Sequence, residues 1–367
     1  MSIPVTRSSM PPFEEYVEMI RPIWESRWLT NMGTLHQQLE KELAQYLGVP
    51  GVSLFSNGHL ALENAITCMN LTGSVITTPY TFASTTQAIV RCGLRPIFCD
   101  INPVDFTIDA DQIESLIEED TTAIVAVHVY GKLCHVEKIE EIARRHNLKV
   151  IYDSAHAFGV SKNGVGAGAF GDASMFSFHA TKVFHTIEGG CVTCATPEIY
   201  QKLAIQKNFG QSSPEHVVEV AGNAKMSEFN AAMGLCNLRH LEGEIQRRGA
   251  AVKRYREHLS GVPGLQVCGE QEGVTSNYSY FPIVVDPQVF GESRDQLGQR
   301  LAEHEIITRK YFYPLTSAFE CYQGRFPVQK TPVAERISNQ VLTLPLYGEL
   351  TISQVDEICR VILEGKK

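Results

Sequence analysis

Between residues 52 and 195 the chain alternates short β-branched runs with amphipathic helical stretches. No other feature limits its fold as strongly. "SVITTP" (74–79) precedes the helical "ASTTQAIVRCG", and "RPIFCDI" (95–101) precedes "DADQIESLIEE". In the latter, Asp109 and Gln112 fit a capping box, and Ile113, Leu116 and Ile117 form the buried stripe. "TAIVAVHVYG" (122–131), "EKIEEIARRHN" (137–147) and "KVIYDSAHAFG" (149–159) continue the series. Strand, helix, strand in succession means βαβ units and an α/β fold with a mostly parallel sheet flanked by helices. Such sheets bind ligands beyond the carboxyl ends of their strands, so residues just after each strand are the candidates for chemistry.

The pattern changes near residue 240. A long helical stretch, "MSEFNAAMGLCNLRHLEGEIQRRGAAVKRYREHL" (226–259), leads into sparser strands such as "YFPIVV" (280–285). The expected division is a large domain over 1–243 and a smaller C-terminal α/β domain over 244–367, which a chain of 367 residues accommodates. A formal charge of −9 opposes nucleic-acid binding, which needs clustered Lys and Arg. The basic cluster "QRRGAAVKRYREH" (246–258) keeps Val252, Tyr255 and Leu259 at helical spacing, so its charges read as a helix's solvated face. The N-terminus lacks a signal peptide's apolar core and no apolar run reaches membrane-spanning length, which implies a cytoplasmic protein with no membrane partner. Ten scattered cysteines in apolar runs then act as small hydrophobes. "CVTC" (191–194) lies in a strand-like stretch with no second pair, so no metal is expected. "GAGAFG" (166–171) matches a dinucleotide-binding glycine pattern, but it follows a polar turn and leads into a strand instead of a helix.

Three features fall at carboxyl ends of predicted strands. "SLFSNGHLALENAI" (53–66) is a strand, a Ser-Asn-Gly turn and a helix, whose first amides around Gly58 and His59 suit an anion such as phosphate. Asp153 ends the apolar strand "KVIYD", as a helix cap or as the partner of a buried cation. Lys182 follows the strand "ASMFSF" and precedes Gly189 and Gly190; desolvated there, its amine would lose its proton readily and could form an imine. Each alone also reads as ordinary structure. Together they are the parts that pyridoxal 5'-phosphate requires: an anion cradle, a partner for the pyridine nitrogen, and an imine-forming amine.

The ordered segments "SNGHLAL", "TPYTFASTT", "DINPVDFTID", "VHVYG", "YDSAHAFG", "GDASMFSFHATK", "EGG" and "NAKMSEFNAAMGL" resemble the DegT-type nucleotide-sugar aminotransferases, from about residue 28 to 347. The resemblance implies the aspartate-aminotransferase-like fold type I and pyridoxal 5'-phosphate as cofactor. It implies that Lys182 holds the cofactor covalently and moves protons, and that Asp153 pairs with the ring nitrogen. His156 would contact the phenolic oxygen and Phe82 would stack on the ring. Gly58, His59 and Ser177 fall at phosphate positions, although relatives usually carry Ser or Thr where this chain has His59. Asn223 matches an Asn that reaches the phosphate of the neighbouring subunit, which implies a homodimer with shared active sites. Asn31, His185, Tyr311 and Tyr313 fall where substrate contacts are expected; His185 either lines the pocket or fills it. His128 ends a strand near the site, in a structural or a functional role.

Within the family, "RWLTNMG", "VHVYGKLC", "DSAHAFG", "SFHATK" and "RKYFYP" are most similar to enzymes that make dTDP-4-amino-4,6-dideoxyglucose. The implied reaction moves the amine of L-glutamate to C4 of a dTDP-linked keto sugar. Amination of a dTDP-3-keto sugar is the alternative. Relatives that remove a hydroxyl carry histidine in place of the lysine, and Lys182 is intact.

Overall fold

The computed structural model describes residues 2–364. Seven strands form the main sheet: β1 (Gly51–Phe55), β2 (Ser74–Thr77), β3 (Arg95–Phe98), β4 (Thr121–Val127), β5 (Lys149–Asp153), β6 (Ala173–Ser177) and β7 (Gly190–Cys194). Their order is β1-β7-β6-β5-β4-β2-β3. The run from β3 to β6 is parallel, and β7 is antiparallel to both neighbours. The strands are almost wholly apolar because helices cover both faces. Alternate residues separate cleanly: Val125, Ile151 and Met175 pack with Leu62 and Ile66 of the helix Gly58–Cys68. Ile124, Val150 and Tyr152 pack on the other side with Ile139 and Ile142 of the helix Val136–His146.

Register decides what lies at the carboxyl edge. Val127 pairs with Asp153, and Asp153 with Met175, so β4, β5 and β6 end nearly level. Because β7 runs the opposite way, its first residue, Gly190, pairs with both Phe55 and Ser177. The segment carrying Lys182 is therefore a loop that leaves the edge at Ser177 and returns to it at Gly190.

A second, three-stranded antiparallel sheet is built from Leu265–Val267, Phe281–Val285 and Val341–Leu344. Its core joins Ile283, Leu297 and Ile358 to Val252, Tyr255 and Leu259 from the end of the helix Glu228–Leu259. The front of that helix, through Ala231, Ala232 and Leu235, packs with the large sheet, so one unbroken helix runs through position 243 and serves both cores. Ile3, near the N-terminus, bridges Ile306 and also joins the C-terminal core.

Some local expectations change. The helix at 110 is one α-turn, Ala110–Ile113, continued by a 3-10 turn over Glu114–Leu116, and Leu116 and Ile117 are only half-buried. Gln112 donates to the Asp109 carboxylate instead of reaching back to the cap's N–H, so the reciprocal capping box is not made. Arg248 does not belong to a solvated face: it is buried, donates to Glu244 Oε1 at 2.7 Å, and reaches the carbonyls of Ser279 and Leu346. Its spacing from Val252, Tyr255 and Leu259 puts it in the same inward stripe. Cys191 and Cys194 sit in β7 on opposite faces, in different cores, and share no site. Among the described residues no helix is long and apolar enough to cross a membrane.

Candidate active site

At the carboxyl end of β1, Asn57 caps the helix Gly58–Cys68 by accepting from Leu60 N at 2.9 Å. The amides of Gly58 and His59, in the first helical turn, have no acceptor among the described residues. Two such amides at the positive end of a helix dipole form an anion cradle. Ser177, at the end of β6, abuts it: a Cβ on Gly58 would lie 2.7 Å from Ser177 Cβ. Gly190 backs the loop as closely, since a Cβ there would lie 2.7 Å from Gly58 Cα. The His59 ring turns away to Ser84 Oγ (2.9 Å) and Glu63 (3.1 Å), so only its backbone amide faces the cradle.

Asp153, only 4% exposed, accepts from Thr85 Oγ1 at 2.7 Å and from Ala155 N at 3.1 Å. Burial raises its pKa; the two hydrogen bonds and the charges of Lys182 and His59 oppose the rise without cancelling it. A carboxylate in that position is stabilised by a buried cation, as a protonated pyridine would be. Lys182 as a whole is half-buried, yet its amine lies deep enough that desolvation lowers its pKa to about 8 against the opposing pull of Asp153. No hydrogen bond or ion pair among the described residues engages its Nζ, which lies 5.8 Å from the Tyr280 ring centroid.

His156 accepts from Tyr130 N at Nδ1 (3.0 Å), and burial holds its pKa well below the usual value. Its ring lies parallel to Phe312 at 5.8 Å and meets Tyr280 edge-on at 4.9 Å. Phe82 precedes the helix Ala83–Arg91, whose Thr85 holds Asp153, and is 60% exposed.

The structure thus brings Gly58, His59, Ser177, Asp153, His156 and Lys182 to one edge. Tyr311 joins them at the rim, 5.7 Å from Tyr280. Tyr313 points elsewhere, its ring 4.7 Å from the Arg294 guanidinium. Asn31 and Asn223 are exposed, the latter on an arm spanning 208–223. His185 is 1% exposed, with Nδ1 accepting from Ile187 N and Nε2 donating to Ser9 O at 2.5 Å, so neither nitrogen is left for a ligand. His128 stacks on Tyr152 at 4.5 Å and accepts from Cys134 N, within the opposite core. Thr85, Tyr130 and Tyr280 were not singled out by the sequence. Thr85 lies in the quoted "TPYTFASTT", whereas no local signal marks Tyr280.

A cradle that one methyl group would fill, an Asp whose burial calls for a cation and an unengaged lysine all fit pyridoxal 5'-phosphate. Fold and site together define a pyridoxal-phosphate-dependent transaminase of fold type I. The chain belongs to the DegT/DnrJ/EryC1/StrS aminotransferase family, whose profile matches residues 13–363. It is 41% identical to a dTDP-4-amino-4,6-dideoxy-D-glucose transaminase of Shigella dysenteriae, over 99% of this chain and 98% of that one. Among solved structures it is similar to DesI, determined in the presence of its TDP-sugar product (TM-score 0.94, 32% identity, 98% of this chain and 92% of that one). It is also similar to the PLP form of the sugar aminotransferase Spr1654 of Streptococcus pneumoniae (TM-score 0.91, 25% identity, 99% and 97% covered). Pyridoxal 5'-phosphate is the cofactor, and the enzyme is a sugar aminotransferase.

Proposed function

We propose that this enzyme transfers the amino group of L-glutamate to C4 of dTDP-4-keto-6-deoxy-D-glucose, giving dTDP-4-amino-4,6-dideoxyglucose for a surface polysaccharide such as lipopolysaccharide O-antigen. The observation that carries the sugar is the 41% identity to the Shigella transaminase across nearly the whole of both chains. Pyridoxal phosphate supplies the electron sink when bound. The rest is done by this chain. Gly58, His59 and Ser177 would hold the phosphate, and Asp153 would keep a proton on the ring nitrogen. His156, whose Nδ1 accepts from Tyr130 N, would offer its Nε2 proton to the phenolic oxygen. Lys182, with a pKa near 8, changes readily between amine and ammonium and so moves a proton at Nζ. The Tyr280 ring lies close to that amine.

We read the enzyme as a cytoplasmic homodimer. Phe209, Val217, Val218 and Val220 expose apolar side chains on the arm that carries Asn223, and a second copy would cover them. Incubating the protein with pyridoxal phosphate, glutamate and a panel of dTDP-keto sugars, followed by NMR of the product, tests the assignment. Amination at C4 is expected; amination only at C3 would overturn it in favour of a dTDP-3-keto-6-deoxyhexose.

A further inference from the structure

Strand β1 is an edge of the large sheet, and its outward backbone groups need partners. At Leu54 they find an ion pair. Leu54 N donates to Glu40 Oε1 at 3.1 Å, and Leu54 O accepts from Lys207 Nζ at 3.2 Å. Lys207 Nζ also donates to Glu40 Oε1 at 3.1 Å, and Tyr200 OH occupies Glu40 Oε2 at 3.0 Å. Lys207 is 0% exposed and lies 5.7 Å from the Phe55 ring centroid. His36 lies beside the pair, Nε2 3.9 Å from Glu40, and stays neutral because burial and Lys207 push its pKa to about 4. The pair is thus charge-balanced and hydrogen-bonded on both sides.

Its backbone connections extend further. Lys207 O accepts from Ala224 N at 3.0 Å, and Ala224 O accepts from Ser56 N at 2.7 Å. Ser56 immediately precedes the anion cradle, and Ala224 follows Asn223. Phe209 N to Gly222 O (2.8 Å) and the bridge between Asn208 and Asn223 continue the pairing outward along the arm. One largely buried pair, with Lys207 at 0% and the Glu40 side chain at 11% exposure, therefore seats both the strand that ends in the cradle and the arm that carries Asn223.

We propose that Glu40 and Lys207 are a positioning pair for the cofactor's phosphate contacts: they hold β1 and the base of the 208–223 arm together, so the amides of Gly58 and His59 are set before the phosphate arrives. This rests on the pyridoxal-phosphate reading of the site. A buried charged pair is often no more stabilising than an apolar one of the same size, so position is the property it supplies here.

The test uses the full-length holoenzyme. Cofactor retention is followed by visible absorbance during dialysis, and Tm is measured in parallel. Lys207→Met strands a buried carboxylate, so the deciding variant is Lys207→Met combined with Glu40→Leu. That double variant is expected to fold with a lowered Tm, because Leu54 N and O lose their partners, and to bind pyridoxal phosphate about ten-fold or more weakly at a temperature where it is folded, with kcat at saturating cofactor changed far less. Cofactor affinity equal to wild type in the folded double variant would overturn the proposal. Should the variants fail to fold, hydrogen exchange of the wild type decides. In the apoenzyme, Ser56, Ala224 and the amides at the base of the arm are expected to stay protected and to open together; loss of their protection on cofactor removal, or independent opening of the cradle and the arm, would overturn it. Failure of wild type itself to bind pyridoxal phosphate would instead overturn the reading of the site.

Discussion

The backbone N–H of Tyr130 donates to Nδ1 of His156 at 3.0 Å, which places the proton of the neutral imidazole on Nε2. Tyr130 can aim its amide this way because its backbone is left-handed (φ 57°). The loop is braced from the C-terminal unit, where Asn277 Nδ2 donates to His156 O at 2.8 Å and Phe158 O at 2.9 Å. Burial keeps the ring neutral, so His156 is a fixed donor through the physiological range, not a pH switch. The expected outcome is that His156→Gln, which keeps a donor, retains most activity, whereas His156→Ala loses about ten-fold or more in kcat/KM. The pH–rate profile of the wild type should show no step from this ring.

Lys182 and Asp153 make a coupled prediction. The free amine is the nucleophile, so covalent capture of pyridoxal phosphate by the apoenzyme, trapped with borohydride, should rise with pH through about 8 and level off above it. The charge of Asp153 raises the Lys182 pKa, so Asp153→Asn should move that midpoint to lower pH. The depressed lysine also bears on stability. The unfolded chain binds its proton more tightly, so this contribution is present at high pH and is lost as pH falls toward 8. Lys182→Ala should fold, lose borohydride fixation and lose turnover by at least about a thousand-fold. Undiminished activity would refute the assignment.

How far the site could be read from sequence follows from what local pattern encodes. Gly58, Asp153 and Ser177 each end an apolar run, and a parallel sheet sends such ends to one edge, so topology alone gathers them. Lys182 is gathered because the loop holding it leaves and returns to that edge. Tyr280 immediately precedes the strand Phe281–Val285 of the second sheet, and nothing near it in the chain indicates that its ring will sit by the Lys182 amine. Arg248 is the opposite case: a basic residue in a charged run reads as solvated, because its buried partner, Glu244, and its carbonyl acceptors on Ser279 and Leu346 cannot be seen in a charge pattern.

The closeness of the phosphate loop to its neighbours predicts a steric limit. A Cβ on Gly190 would meet Gly58 Cα at 2.7 Å and Gly58 N at 2.8 Å, both backbone atoms that cannot rotate aside. Gly58→Ala would press on Ser177, whose Cα is also only 3.0 Å away. Each substitution should cost about 1–3 kcal/mol or more in stability, read by urea unfolding, and should weaken cofactor binding as the cradle shifts. Ser177→Ala, which removes one hydroxyl and adds no bulk, should leave the unfolding midpoint almost unchanged while still loosening the cofactor. A Gly58→Ala protein with wild-type cofactor affinity would show that the cradle is not the phosphate site.

His185 lies three residues beyond Lys182, yet its bonds face away from the chemistry. Nε2 donates to Ser9 O, Nδ1 accepts from Ile187 N, and Asn237 Nδ2 donates to its carbonyl at 2.9 Å. These bonds pin the N-terminal segment to the loop and to the helix Glu228–Leu259. Burial lowers the ring's pKa, opposed chiefly by the Ser9 bond, so it is neutral near pH 7 and gains a proton only in acid. His185→Ala removes a buried ring and takes the partners from Ser9 O and Ile187 N, which are only partly buried, at a cost of about 1–3 kcal/mol. The expected result is a lowered Tm, faster proteolysis ahead of Phe13, and a KM for the keto sugar close to wild type at a temperature where the variant is folded. A large rise in KM with unchanged Tm would show instead that His185 touches the substrate.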